Sequence, residues 1–315
     1  MKALHVKGSS TLFKSTMLAG IISLSSWFTS CQATDPISSQ EVTETQPVAE
    51  RTQQVSFSLS TFIPQQTPIT RAASQTIGAS PTRLLVLDVV DGMVKQTLER
   101  TSQEVQASQQ VEKVDNVLSD FSMTLTCGTH HIYLLAAANP YNSYDTSNLH
   151  VSWNETYRLT FVWAQMVQVE VGQSATSAQS VNLPLVVGMV SLTCNDAAPQ
   201  EAATMKISGN FHWTLDLSTM TGVAPTTPWN YTISISKKEA GINFVSFNFA
   251  PADNLGSITY TALDSSNQPI TSHQFSDVPL TVGYITNYVG LFYNYTQEFS
   301  LSCVNQWTQI NKIDY

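Results

Sequence analysis

From Val55 the chain alternates. Val55, Phe57 and Leu59 are apolar, and Ser56, Ser58 and Ser60 between them are polar. A period of two predicts a strand with one face buried and the other in water. The same signal recurs to the end of the chain. Phe121, Met123 and Leu125 alternate up to a turn at Cys127-Gly128, and Tyr157, Leu159, Phe161 and Trp163 alternate again. Later sets are Phe211, Trp213, Leu215 and Leu217, then Tyr231, Ile233 and Ile235, then Ile258, Tyr260 and Ala262. The run Leu84–Val90 is denser, as a central strand covered on both faces requires, and it ends at Asp91-Gly92, a pair that favours a tight hairpin.

Helical periodicity is nearly absent. The stretch Gln96–Val117 carries only Val105, Val111 and Val114 as spaced apolar positions, too few for a buried stripe. It is expected to be mostly loop with at most one short helix. Pro184 and Gly188 interrupt Val181–Leu192, which suggests an edge strand or a bulge. Asn195–Glu201 reads as a loop. The fold class is therefore all-β, with two tandem β-sandwich domains over residues 55–194 and 195–315 and little helix.

The N-terminus has a different character. Lys2, Lys7 and Lys14 precede an apolar stretch from Met17 to Phe28, too short to span a bilayer and patterned like a secretory signal. It ends in Phe28-Thr29-Ser30-Cys31, which resembles a bacterial lipoprotein processing site. On this reading residues 1–30 are removed, Cys31 carries the lipid, and residues 31–54, rich in Thr, Ser, Gln and Glu, form a flexible tether. Two lipid attachments on Cys31 supply stable anchoring where one acyl chain is marginal. An ordinary signal peptide with an unrelated Cys is the competing reading. The lipid implies an outer-membrane location. Asp35 is the only acid close behind Cys31, so a surface-export signal is not evident.

Composition narrows the partners. Charged residues are 12% of the chain and the net charge is −9, with no Lys/Arg cluster able to track phosphates, so a nucleic-acid partner is excluded. Besides Cys31 there are Cys127, Cys194 and Cys303, an odd number, each in an apolar run. They read as small core residues, with a bridge between one pair left open.

Candidate chemistry is sparse. No nucleophile elbow, zinc-protease motif, phosphate loop or paired Cys-x-x-Cys occurs. His130 and His131 are adjacent on a strand and so point to opposite faces, one packed and one outward. His212 and Asp216 can share a strand face but lack a nucleophile. Asp88 with Asp91-Gly92 loosely suggests a calcium loop, and a hairpin turn explains these residues better. No catalytic residue, metal ligand or cofactor follows, and the chain is expected not to be an enzyme. Tyr141, Tyr144, Trp153 and Trp229 lie in polar or loop-like surroundings. They read either as rim residues capping a sandwich or as a surface that holds glycan.

Several segments together resemble one family. Val55-Ser-Phe-Ser-Leu-Ser, Thr70-Arg71-Ala72 and the strand Leu84–Val90 come first. Leu125-Thr-Cys-Gly-Thr, Tyr133-Leu-Leu-Ala-Ala-Ala-Asn, Val181–Val190, Ile258–Asp264 and Tyr284–Phe292 follow in order. This succession resembles the fimbrillin-like lipoproteins of Bacteroidetes. The resemblance implies two transthyretin-like sandwiches in a fimbrial subunit or anchor on the cell surface, active in adhesion toward a host protein or glycan. It also implies trimming by an Arg-specific protease and strand exchange with neighbouring subunits. Cleavage between Arg71 and Ala72 would then release the strand of Val55, Phe57 and Leu59 together with the lipid. Arg51 precedes that strand, so cleavage there opens no groove. The basic residue usual in the family around Pro184–Val190 is missing here, leaving tip, stalk and anchor roles open. A surface glycan-binding lipoprotein is the second functional reading.

Overall fold

The computed structural model describes residues 51–62, 80–104, 111–172, 174, 178–250, 255–294 and 299–304. The chain divides after Val48, and every described residue lies in the second unit. Among the described residues there is no helix, and hence none long and apolar enough to cross a membrane.

The strands in chain order begin with β1 (Thr52–Phe62), β2 (Arg83–Val90), β3 (Met93–Thr101), β4 (Glu112–Lys113), β5 (Phe121–Thr126), β6 (Gly128–Ala137) and β7 (Ser143–Asp145). They continue with β8 (His150–Ser152), β9 (Val162–Val171), β10 (Gln179–Pro184), β11 (Val187–Cys194), β12 (Ala202–Gly209), β13 (Thr214–Asp216) and β14 (Thr221–Val223). The last are β15 (Trp229–Ser234), β16 (Ile242–Phe249), β17 (Ser257–Asp264), β18 (Pro269–Ser276), β19 (Ile285–Gly290) and β20 (Ser300–Val304).

These strands make an all-β fold of several sheets, with the layering of tandem sandwiches. The first half supplies a five-stranded sheet ordered β4-β3-β2-β6-β9 and a three-stranded sheet ordered β10-β1-β5. The second half supplies β16-β11-β19-β20 and β15-β12-β17-β18. A small sheet ordered β14-β13-β8-β7 joins the halves, because Leu215 of β13 pairs with Val151 of β8.

Burial follows the apolar pattern. On β2 every residue from Leu84 to Val89 is buried, as its apolar run requires. β5 alternates buried Phe121, Met123 and Leu125 with exposed Ser122 and Thr124. Asp91 and Gly92 take positive φ angles of 52° and 74° and close the β2–β3 hairpin, with Val90 opposite Met93. Positive φ at both central residues is the backbone a two-residue hairpin needs, and Asp-Gly tolerates it.

Three expectations change. The first part of the stretch from Gln96 is strand, because β3 runs on to Thr101, held between β2 and the two-residue β4; residues 105–110 lie outside the described residues. Cross-strand pairing compensates there for a weak apolar pattern. Tyr157, Leu159 and Phe161 alternate but lie outside any strand, and β9 starts at Val162. The run breaks after Pro184 and not at Gly188, which pairs with Asn248 inside β11, and the strands on either side of the break belong to different sheets. β10 is an edge strand ending at Pro184, whereas β11 is interior, between β16 and β19. Gly188 is needed on β11 because a Cβ there would meet the Thr281 carbonyl oxygen at 2.6 Å. β11 thus lies before residue 195 in sequence while pairing only with strands that lie after it.

Candidate functional site

β1 changes partner halfway along its length. Its first part, Thr52–Phe57, runs antiparallel to β5 in register from Thr52 opposite Thr126 to Phe57 opposite Phe121. Its second part, Phe57–Phe62, runs parallel to β10, from Phe57 opposite Gln179 to Phe62 opposite Pro184. β1 is therefore the strand through which β5 and β10 belong to one sheet.

Side chains fix this position from both faces. Val55 and Phe57 are fully buried, and the Phe57 ring stacks on Phe121 with centroids 5.0 Å apart. Leu59 is half-buried against the same core. Burying each of these side chains contributes about 1.5–3 kcal/mol. On the outer face the hydroxyls of Ser56 and Ser122 lie 3.0 Å apart, and Ser60 Oγ donates to Asn182 Oδ1 at 3.1 Å. Gln53 Nε2 donates to the carbonyl of Gly172 at 2.7 Å. Arg51, exposed just before the strand, accepts the Cys127 amide on its carbonyl at 2.9 Å. Cys31, Arg71 and Ala72 lie outside the described residues.

The remaining residues singled out from the sequence fall in separate places. Cys194 is a buried free thiol, and burial, aided by the Asp196 carboxylate, pushes its pKa well up. Cys127 is also free but exposed, contrary to the core position expected of it. It sits between β5 and β6, where the chain leaves the apolar alternation, and its Sγ donates to the Gly172 carbonyl at 3.4 Å. Cys303 lies on β20 opposite Thr286.

His130 and His131 separate as strand geometry demands, His130 buried and His131 half-buried. The His130 ring meets a partner that the sequence pattern did not connect to it. Its Nδ1 lies 2.7 Å from Asp88 Oδ1, and its Nε2 lies 2.9 Å from the Thr126 carbonyl. The available sign was a lone acid inside the otherwise apolar run of β2. His212 and Asp216 do different jobs. His212 is buried with Nδ1 unpaired, and burial pulls its pKa below the ordinary value against a smaller opposing hydrogen bond at the Gly222 backbone. Asp216 accepts the Ser218 amide at 2.8 Å and its hydroxyl at 2.6 Å, fastening the turn into β14.

A second buried carboxylate escaped the sequence reading altogether. Asp196 accepts three consecutive backbone amides, Phe292, Tyr293 and Asn294, at 2.7, 2.8 and 2.7 Å. It binds the segment after β19 to the chain just after β11. Both acids are engaged in hydrogen bonds that hold separate parts of the chain together. Among the described residues no group of three or more His, Cys, Asp or Glu is placed to hold a metal ion.

The four aromatic residues sort by burial. Trp153 is buried, Trp229 is half-buried against Trp213 at 5.4 Å, and Tyr141 is half-buried. Tyr144 alone among them is exposed. Tyr141 stands edge-on to both Tyr144 and Trp153, with centroids 6.0 and 6.1 Å away.

No family model matches the sequence, and no curated protein matches it. Solved structures do. A putative adhesin from Bacteroides ovatus superposes with a TM-score of 0.48 at 8% identity, covering 72% of this chain and 83% of that one. The fimbrial anchor protein Mfa2 from Porphyromonas gingivalis gives 0.44 at 9% identity over 81% of this chain and 98% of its own. A fimbrial assembly protein from Parabacteroides distasonis gives 0.42 at 12% identity over 80% and 100%. All three scores are below one half, and the architecture described above rests on this chain's own strand pairing.

Proposed function

We propose that the chain is a structural subunit or anchor of a cell-surface fimbria, carried to the outer membrane by lipid on Cys31 and joined to its neighbours by strand exchange. The observation that carries this reading is the seat of β1. It is the first described strand, paired with β5 along its first half and with β10 along its second, with Val55 and Phe57 filling the core. Its loss bares the edge of β5 along residues 121–126 and the edge of β10 along residues 179–184, staggered around the seat of Phe57, and uncovers the apolar core that Val55 and Phe57 fill. The trough so opened presents unpaired N–H and C=O groups and side-chain pockets at every second position, and an incoming strand satisfies both.

Cleavage between Arg71 and Ala72 frees that trough and separates the folded body from its lipid. The ordered succession of segments resembling fimbrillin-like lipoproteins supports the same assignment. A chain that remains uncut serves as an anchor, still tied to the membrane. Mass spectrometry of protein shed from the cell surface tests the proposal. A mature N-terminus at Ala72, together with head-to-tail multimers after cleavage, is expected. Shed protein beginning elsewhere, or monomers that persist after cleavage at Arg71, would overturn strand exchange by this route.

A further inference from the structure

One cleft remains outside any role in strand exchange. It lies at the end of the five-stranded sheet where Arg83 begins β2, and it is lined by Arg83, Thr97, Glu99, Val111, Tyr141, Asn142 and Tyr144, enclosing about 370 Å³. That volume falls within the roughly 300–1,000 Å³ of small-molecule pockets. Arg83 and Glu99 project from neighbouring strands, and Tyr141 and Tyr144 come from the loop after β6 and from β7.

The polar inventory of this corner is incomplete. Arg83 Nε and the indole Nε1 of Trp153, which stands behind Tyr141, are both buried without a hydrogen-bond partner. Buried polar atoms normally find partners, and each one left alone costs about 1–3 kcal/mol. Burial first, and then the Glu99 carboxylate, which accepts a hydrogen bond from each phenol, raise the pKa of both Tyr141 and Tyr144, so both stay protonated and hold Glu99 in place at the cleft. Asn142 does not contribute freely, because its Oδ1 already accepts from Asn154 Nδ2 at 2.6 Å.

The chemistry of the lining selects the ligand. Arginine only donates and a carboxylate only accepts, so the two together suit a group that does both. A pair of neighbouring hydroxyls meets that demand, accepting from Arg83 and donating to Glu99. One cation and one anion leave the cleft without net charge, so a full charge on the ligand is opposed by one of them. The exposed Tyr144 ring offers a flat face for the C–H side of a pyranose. Among the described residues of the lining Val111 is the one aliphatic side chain, too little apolar surface to seat the hydrophobic anchor of a peptide.

We infer that this cleft binds a neutral sugar unit of an oligosaccharide, held by Arg83 and Glu99 through adjacent hydroxyls and by the ring of Tyr144 beneath. The site is independent of β1 and of cleavage at Arg71, so it stands or falls apart from the strand-exchange reading.

The test uses the full chain on an array of neutral and sialylated glycans, followed by calorimetry on the strongest neutral binder. Binding to neutral glycans is expected. Tyr144→Ala and Glu99→Gln should each weaken it about tenfold or more, as loss of a ring contact or a charged hydrogen bond requires. Tyr144→Phe keeps the ring and should stay within about threefold of the parent. Melting temperatures of all three variants should match the parent, since Tyr144 is exposed and Glu99 lies at the cleft. Absence of binding to any neutral glycan overturns the proposal. So does a preference for sialylated glycans, or neutral binding that survives both Glu99→Gln and Tyr144→Ala.

Discussion

The first and last strands of the described fold differ in a way that locates the weak point of the molecule. β1 is central in its sheet, paired to β5 and β10, and buries Val55 and Phe57. β20 is an edge strand paired to β19 alone, and its Leu301 is 54% exposed. Removing β20 bares one edge, that of β19, whereas removing β1 bares two, that of β5 along residues 121–126 and that of β10 along residues 179–184. β1 is also remote from its partners in sequence, while β20 pairs with the strand just before it. Its bonding therefore closes long loops, which stabilises little during early folding and makes the strand separable from a body that is otherwise complete.

The largest expected effect comes from deleting the chain through Phe62. The first-half sandwich should lose several kcal/mol, because Val55, Phe57 and Leu59 each lose about 1.5–3 kcal/mol of burial and two edges are bared. Denaturant unfolding should show an earlier transition, and a peptide of sequence Thr52–Phe62 added in trans should restore it. Failure of the peptide to restore it would remove the idea of a re-fillable trough. The equivalent deletion of β20 should leave that transition in place.

Each half also holds one buried carboxylate, and the two are bound differently. Asp88→Ala leaves His130 buried without its partner and should cost about 3–5 kcal/mol. Asp196→Ala frees three amides of residues 292–294; the Phe292 amide is buried, but those of Tyr293 and Asn294 are only partly buried and can turn toward water, so its loss should be smaller, about 2–3 kcal/mol. Urea denaturation of both variants measures the difference. An equal or reversed order would mean that the segment after β19 is as buried as the centre of β2.

A point substitution sharpens the contrast between terminal strands. Phe57→Ala should cost about 3–5 kcal/mol, as a buried ring removed from a packed core does. Leu301→Ala should stay within about 0.5 kcal/mol. Thermal unfolding of the pair provides the check.

The smallest effect is a pH dependence at the junction sheet. His212 is buried with its pKa lowered, so the folded state resists the proton that the unfolded chain accepts. The contribution is complete above the unfolded value of about 6.5 and is lost as pH falls from there toward the folded value. His212→Gln should flatten that part of the stability profile between about pH 7 and 5 relative to the parent. An unchanged slope would assign the dependence to other groups.

Much of this was legible in the chain itself. Alternation identified β1, β5 and β15, because a half-buried strand has to repeat every second residue. The unbroken apolar run identified β2 as central, and Asp91-Gly92 marked its turn, since few residue pairs tolerate two positive φ angles. The same rule failed at Tyr157–Phe161, where Leu159 and Phe161 pack into the core from a loop and Tyr157 is exposed, and at Gln96–Thr101, where pairing with β2 makes a strand of a polar segment. Local pattern records which faces are buried and is silent about what hydrogen-bonds to the backbone.

What the sequence determined alone is therefore the class of structure, the identity of most strands and the residues that β1 drives into the core. Tertiary structure decided the rest. It joined Asp88 to His130, set Asp196 under the amides of residues 292–294, and passed the chain between sheets at Pro184–Val187. It also brought Arg83, Glu99 and Tyr144 to one cleft. The reason is physical: burial is written locally in each strand's period, but register and pairing between distant strands arise only when the whole core closes.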